Sequence, residues 1–167
     1  MLNTIFERRS VRQYLNKPVE EEKLQKILKA AMYAPSAHNK QPWHFIVFDN
    51  PAAISALRKL HPWGHPLDTA PVAIMVCGDT ELEAEKGFYY TDCAAAVENM
   101  LLAAKAQGLD TCWMGIFPNK EREEEFSKHL SLPANVRPYA LVSVGYSDAE
   151  RSIPQRFNES KIHYNRW

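Results

Sequence analysis

The densest group of chemically capable side chains in this 167-residue chain is a basic cluster close to its start. The segment Glu7-Arg8-Arg9-Ser10-Val11-Arg12 places three guanidinium groups and one hydroxyl together, between apolar residues on either side. Arginine carries a planar fork of N–H donors that matches phosphate oxygens. Each charge-assisted hydrogen bond of this kind contributes about 1.5–3 kcal/mol. The cluster therefore predicts a phosphate-bearing ligand, and a solvated basic turn is the alternative.

Three further segments carry groups suited to a ligand. Residues 35–42 place Ser, Asn and Gln between two prolines, and such groups can hydrogen-bond to a heterocycle edge or a polyol chain. Residues 111–115 indicate a strand that ends at Gly115, where the missing Cβ lets a ligand approach the backbone. Arg156, in Ile153-Pro154-Gln155-Arg156-Phe157, is a further candidate cation for the phosphate. The alternative for residues 35–42 is a helix-to-strand connector, which does not account for Gln41 or Trp43. For residues 111–115 a plain strand end is the simpler interpretation when the segment is taken in isolation.

Several common enzyme motifs are absent from the sequence. No two glycines are separated by one residue, so there is no GxGxxG, and there is no GxxxxGK[ST], GxSxG or HExxH. His61 and His65 are four residues apart, but Pro62 and Gly64 lie between them, so they would not share a helix face. The sequence therefore predicts neither a Rossmann or P-loop nucleotide site nor a hydrolase nucleophile nor a metal site.

Composition and charge favour one globular domain. Hydrophobic residues make up 46% and charged residues 24%, both near globular averages. Lys plus Arg and Asp plus Glu each total 20, so the net charge is zero and a dedicated nucleic-acid binder is disfavoured. We expect no membrane association, because no apolar run is long enough to cross a bilayer and no basic amphipathic face stands out. Three cysteines without a pairing pattern and a charged start without a signal-peptide core favour a cytoplasmic protein.

Periodicity predicts helices and strands that alternate around one sheet. The expected helices are a short first one capped by Asn3, then about 20–33, 52–60, 90–107 and 121–130. The expected strands are 43–48, 72–77, 111–114 and 139–144, with a loop at 61–66. The helix at 90–107 is apolar enough on most sides to predict a subunit interface.

In this order, the segments resemble the FMN-dependent nitroreductase family. The resemblance rests on Arg-Arg-Ser-Val-Arg at 8–12, the Pro-Ser-Ala-His-Asn-Lys-Gln-Pro-Trp loop at 35–43 and the strand entry at 70–76. It continues with the Ala-rich helix before Gly108, Cys-Trp-Met-Gly at 112–115 and Pro-x-Arg at 154–156. The resemblance implies one domain over 1–167 with an α+β, nitroreductase-like fold, in which helices flank a central mixed sheet. It also implies an intertwined homodimer with two FMN sites at the interface, and a tail, 148–167, that reaches the partner subunit.

The resemblance also implies roles for individual residues. Arg8, Ser10 and Arg156 would hold the FMN phosphate with help from Arg9, and Arg12 would lie near the N1–C2=O edge of the flavin. The partner chain would contribute Pro35, Ser36, Ala37 and Asn39, with Gln41 supporting that loop. Backbone groups of Met114 and Gly115 would face N5 and O4, and His65 would lie near O2. Phe88, Tyr89 and Tyr90 would form an aromatic wall against which substrate binds.

The implied activity is an oxidoreductase in which NAD(P)H gives hydride to flavin N5 and an oxidised acceptor then takes its place. The acceptor would be a nitroaromatic, a quinone or a similar molecule, and the mechanism would be ping-pong. A cofactor-centred reaction of this kind needs no catalytic acid or base from the protein, and a transient nicotinamide substrate needs no GxGxxG. Two alternatives stay open: a non-catalytic flavin-binding or storage protein, and a nucleic-acid or phosphoprotein binder that uses the arginine cluster.

Overall fold

The computed structural model describes residues 2–149 and 152–167. Five α-helices occur there: α1 Leu2–Glu7, α2 Glu21–Met32, α3 Pro51–Leu60, α4 Tyr89–Ala106 and α5 Lys120–His129. Four strands are β1 Trp43–Phe48, β2 Val72–Asp79, β3 Asp110–Gly115 and β4 Val136–Gly145. Short 3-10 helices lie at Ala37–Asn39, His65–Asp68 and Glu159–Lys161.

Two of the predicted boundaries are wrong. Asn3 lies inside α1, which begins at Leu2, so it is not the cap of that helix. The predicted loop at 61–66 ends in a 3-10 helix that begins at His65. The other boundaries follow local chemistry: the Asn50 side chain accepts hydrogen bonds from the Ala52 and Ala53 amides at 2.9 and 3.2 Å and thereby caps α3.

The sheet has the strand order β1-β2-β4-β3, and all three pairs of named strands are antiparallel. The parallel element is an isolated bridge between Ser10 and Thr111, in which the Val11 amide donates to the Thr111 carbonyl at 2.9 Å. Strand β3 is therefore an edge strand whose outer side receives the segment that follows α1. This connection brings the arginine cluster to the edge of the sheet.

The core lies on both faces of the sheet, because successive side chains of the buried strand β2 point in opposite directions. Val72, Ile74 and Val76 pack in one cluster with α2 and α4. Ala73, Met75 and Cys77 belong to a second cluster that includes residues of α3 and α5. The structure is thus an α+β sandwich of helices around one sheet, as the sequence predicts.

An apolar groove and the tail of the described chain face outward. A groove of about 440 Å³ between α1, α2 and α4 is lined by Thr4, Ile5, Ala30, Asn99, Leu102, Ala103 and Ala106. The described part of the tail, 152–167, is exposed throughout, and its Trp167 is 98% exposed. A tail without a packing surface of its own agrees with the expectation that it lies on another subunit, which stays a prediction.

Within 2–149 and 152–167, every helix falls short of the length and apolar character that a bilayer crossing demands.

Candidate functional site

The end of α1 and the C-terminal tail meet around a cavity of about 490 Å³. Arg8, Arg9 and Arg156 all line it, together with Glu98 of α4. Arg8 Nε lies 3.8 Å from a Glu98 carboxylate oxygen, a distance too long for a strong hydrogen bond. The structure therefore brings the predicted tail cation to the predicted N-terminal cluster, although the two are far apart in the sequence.

Arg9 has a different environment from Arg8. Its Nη1 donates to the Phe6 carbonyl at 2.7 Å and to the Arg8 carbonyl at 2.6 Å, and its Nη2 donates to the Ser152 carbonyl at 3.1 Å. These bonds connect the end of α1 to the tail. Through these backbone carbonyls Arg9 connects the segment that carries Arg8 to the tail that carries Arg156.

A second cavity of about 490 Å³ contains the other predicted residues of this region. Ser10, Arg12 and His65 line it, with Asp68 and Thr69 beside them. A third cavity, of about 370 Å³, shares Ala149 with this one and shares Arg9 and Ile153 with the first. The predicted phosphate and ring residues therefore line two cavities, and a third cavity shares lining residues with each of them.

Gly115 ends β3 at the exposed edge of the sheet. The Ile116 amide donates to the Tyr139 carbonyl at 3.0 Å, and Gly115 is in register with Ala140. Because bonded and non-bonded pairs alternate along an antiparallel ladder, the backbone groups of Gly115 face away from β4. By the same alternation Met114 turns its backbone toward β4, and its side chain is buried. A contact between the Met114 backbone and a ligand stays a prediction.

Two side chains that the sequence does not single out for this role contact the Gly115 carbonyl. His61 Nε2 lies 2.9 Å from this oxygen, and Arg122 Nη1 donates to it at 2.8 Å. The Trp63 amide donates to His61 Nδ1 at 3.2 Å, so Nδ1 is the acceptor and Nε2 carries the proton. Burial lowers the pKa of His61 below its usual value, which favours this neutral tautomer.

The predicted loop at 35–41 is held in an unusual backbone conformation. His38, Asn39 and Gln41 have φ values of 50°, 55° and 51°. Non-glycine residues seldom adopt the left-handed region, although Asn and His do so more often than Gln, so three such residues within four positions make the loop strained. The Gln41 amide donates to Ser36 Oγ at 2.9 Å, and Gln41 Nε2 donates to Asn39 Oδ1 at 3.0 Å, which agrees with the predicted supporting role of Gln41.

Asp92, in the first turn of α4, also holds this loop. Its Oδ1 accepts a hydrogen bond from the Ala37 amide at 3.0 Å, while its Oδ2 is buried and has no hydrogen-bond partner among the described residues. A buried carboxylate is costly unless it is well paired. The residue was missed from the sequence because an acidic residue near a helix N-terminus is common for electrostatic reasons alone.

The aromatic residues at the start of α4 divide into exposed and buried ones. Phe88 and Tyr90 are 42% and 37% exposed, and Tyr90 stacks on Phe117 with ring centroids 4.7 Å apart. Tyr89 is buried, and a Cβ built on Gly78 would overlap its ring. Tyr89 therefore packs directly on β2, and its assignment as a substrate contact stays a prediction.

The predicted site residues form two groups in the single chain. One group surrounds the cavities at α1, the tail and the outer edge of β3. The other is the loop at 35–41 with the start of α4. Among the described residues that line the two larger cavities, none comes from this loop.

Comparisons with known proteins agree with this architecture. The profile of the Nitroreductase family matches residues 5–63 and 57–146. A Methanothermobacter thermautotrophicus protein, provisionally named NADH dehydrogenase/NAD(P)H nitroreductase, is 40% identical over 167 residues, which cover 100% of this chain and 87% of the relative.

Two solved structures extend the similarity to three dimensions. An FMN-dependent nitroreductase from Clostridium difficile R20291 has a TM-score of 0.91, 30% identity and 100% coverage of both chains. A Desulfovibrio desulfuricans protein, provisionally named a nitroreductase and solved in complex with FMN, has a TM-score of 0.85 and 31% identity, with 99% of this chain and 96% of the other covered. The chain belongs to the nitroreductase family and has its α+β fold.

Proposed function

We propose that this protein is an FMN-dependent oxidoreductase that takes hydride from NAD(P)H and reduces a nitroaromatic, a quinone or a similar acceptor by a ping-pong mechanism. The observation that carries the proposal is the convergence of Arg8 and Arg156 on one cavity, while Arg12 and His65 line a second cavity and a third shares lining residues with both. The names of the family relatives support the same activity.

The residues present fit the phosphate end of FMN. Arg8 and Arg156 bring two guanidinium groups to one cavity, and Arg9 fixes the segments that carry them. Ser10 supplies a hydroxyl at the adjoining surface, where its backbone is bridged to β3. Guanidinium and hydroxyl donors together match a dianionic phosphate.

The residues at the other end fit an electron-rich heterocycle edge. Arg12 supplies a permanent positive charge beside His65, and Gly115 presents an outward-facing N–H on the same strand edge that Ser10 joins. FMN, when bound, supplies the hydride-accepting ring. Arg12 would stabilise negative charge that develops at the N1–C2=O edge, since a preorganised cation lowers the energy of such charge.

The proposed assembly is an intertwined homodimer in which each site takes residues from both chains. Pro35, Ser36, Ala37 and Asn39 would reach the partner's site, with Phe88 and Tyr90 beside them as an aromatic wall. The separation of this loop from the arginine-lined cavities within one chain supports that arrangement. The exposed tail and the apolar groove on α4 would be covered by the partner.

Steady-state kinetics tests the proposed activity. The FMN-loaded protein is assayed with NADH and with NADPH against a nitroaromatic and a quinone, each at several fixed concentrations. Parallel double-reciprocal lines are the expected result. A protein that binds FMN but oxidises neither nucleotide would be a storage protein, and intersecting lines would contradict the ping-pong mechanism.

A further inference from the structure

We propose that His61 and Arg122 are positioning residues that hold the end of β3 in place, so that the backbone N–H of Gly115 faces the flavin. This inference rests on the proposed function and deepens it, because it assigns a role to two side chains that lie behind the cofactor-facing strand edge. Neither side chain needs to touch the cofactor. Each acts through the Gly115 carbonyl, to which both are hydrogen-bonded.

The position of Gly115 explains why its backbone needs support. It is the last residue of an edge strand, it is exposed, and its backbone groups face away from β4. Glycine also has the widest backbone freedom of any residue. Without further contacts, the position of this strand end would fluctuate, and a hydrogen bond to a ligand would have to order it first.

The two donors approach from different elements. Arg122 lies in α5, and His61 follows α3. A carbonyl oxygen has two lone pairs and can accept both bonds at once. Two bonds from separate elements hold the Gly115–Ile116 peptide unit more firmly than one bond could, and they thereby fix the position of the strand end from which the N–H of Gly115 projects.

The donors are themselves held in place. The Trp63 amide fixes the His61 ring through Nδ1, and the ring packs edge-on against Phe126 with centroids 6.4 Å apart. The Arg122 amide donates to the capping Asn119 side chain at 2.8 Å. Support of this kind behind a binding group is what preorganises a site.

The sheet does not need these bonds for its own continuity. The next residue, Ile116, is already bonded to Tyr139 of β4, and Gly115 is not a bonded pair in that ladder. We therefore expect loss of either donor to change the flavin environment more than the fold.

The experiment compares His61→Leu and Arg122→Met with the wild type, each loaded with FMN. His61→Leu removes a neutral donor, so it changes no charge in the neutral state. His61→Gln is the rescue variant, because its side-chain amide can donate to the same carbonyl. Lys128→Met removes a charge from α5 at an exposed position as the matched control for Arg122→Met. The readouts are the visible absorption bands of bound FMN, its midpoint potential and its dissociation constant.

We expect His61→Leu and Arg122→Met to shift the bands, to make the potential more negative and to weaken FMN binding by about fivefold, the effect of one hydrogen bond. His61→Gln and Lys128→Met should match the wild type. Wild-type bands and potential in Arg122→Met would overturn the proposal, and this variant decides the matter if His61→Leu does not fold. A wild type that binds no FMN would instead refute the proposed function.

Discussion

The Asp92 carboxylate accepts a hydrogen bond from the Ala37 amide at 3.0 Å, so the start of α4 holds a loop that lies 55 residues earlier in the chain. The loop contains three left-handed residues other than glycine. Such conformations persist only where the surroundings impose them, and they concentrate at functional sites. The Asp92–Ala37 hydrogen bond is one of the contacts that hold this strained loop, which supports the proposal that the loop contributes to a ligand site.

Replacement of Asp92 by Ala should loosen this loop. A hydrogen bond to a charged acceptor contributes about 1.5–3 kcal/mol. We therefore expect its loss to accelerate hydrogen exchange at the Ala37 amide about tenfold or more. Asp92→Asn keeps an oxygen acceptor and should retain most of the protection. Equal exchange at Ala37 in wild type and Asp92→Ala would show that the carboxylate does not hold the loop.

Replacement of Arg8 by Ala should weaken FMN retention, because it removes a guanidinium from the proposed phosphate site. The loss of a charge-assisted bond predicts a dissociation constant at least about tenfold higher, measured by fluorescence titration of the apoprotein. Arg156→Ala should have a similar effect, since both side chains line the same cavity. Lys128→Ala, which lies on α5 away from these cavities, serves as the control. Unchanged affinity in Arg8→Ala would remove this residue from the phosphate site.

The proposed dimer predicts a sedimentation mass near twice 19.1 kDa. Leu102→Asp places a charge in the apolar groove on α4 and should shift the mass toward the monomer, because an unpaired charge is costly in a buried interface. Lys128→Asp, on the opposite face of the sheet, should leave the mass unchanged. A wild-type mass near 19.1 kDa would contradict the dimer and, with it, the shared site.

The depressed pKa of His61 predicts a pH dependence of stability. Burial disfavours the charged ring in the folded state, so the unfolded chain takes up a proton first as the pH falls. This contribution to stability is complete above the ordinary His pKa and declines as the pH drops from that value toward the lower folded pKa. The variant His61→Gln has no ionisable group at this position and therefore lacks this pH-dependent contribution to stability.

Urea unfolding at pH 7.5 and at pH 5.5 measures the effect. The wild type should lose more unfolding free energy between the two conditions than His61→Gln, whatever the absolute stability of the variant. An equal loss in both proteins would indicate that His61 does not titrate differently on folding.

The sequence predicts the scaffold of this protein better than it predicts the fine structure of the site. Strand β2 is recognisable because an unbroken apolar run must be buried on both faces, and α4 because its small and apolar residues recur over 18 positions. The arginine cluster is recognisable because three guanidinium groups so close together are chemically distinctive. Each of these features lies within one continuous segment of the sequence, so the sequence pattern alone reveals it.

The contacts of His61, Arg122 and Asp92 could not be predicted in this way. Each of these side chains bonds to a backbone group, and a backbone acceptor or donor leaves no residue type to recognise in the sequence. His61 meets Gly115 across 54 residues. Similarly, the burial of Tyr89 depends on the missing Cβ of Gly78 on another element, which the sequence around Tyr89 does not reveal.

The visible absorption spectrum of the FMN-loaded protein, recorded without air before and after addition of NADH and then NADPH, tests the central claim most directly. We expect flavin bands that bleach with at least one nucleotide and return when a nitroaromatic or a quinone is added. A protein that takes up no FMN, or one whose bands are unchanged by both nucleotides, would contradict the proposed oxidoreductase.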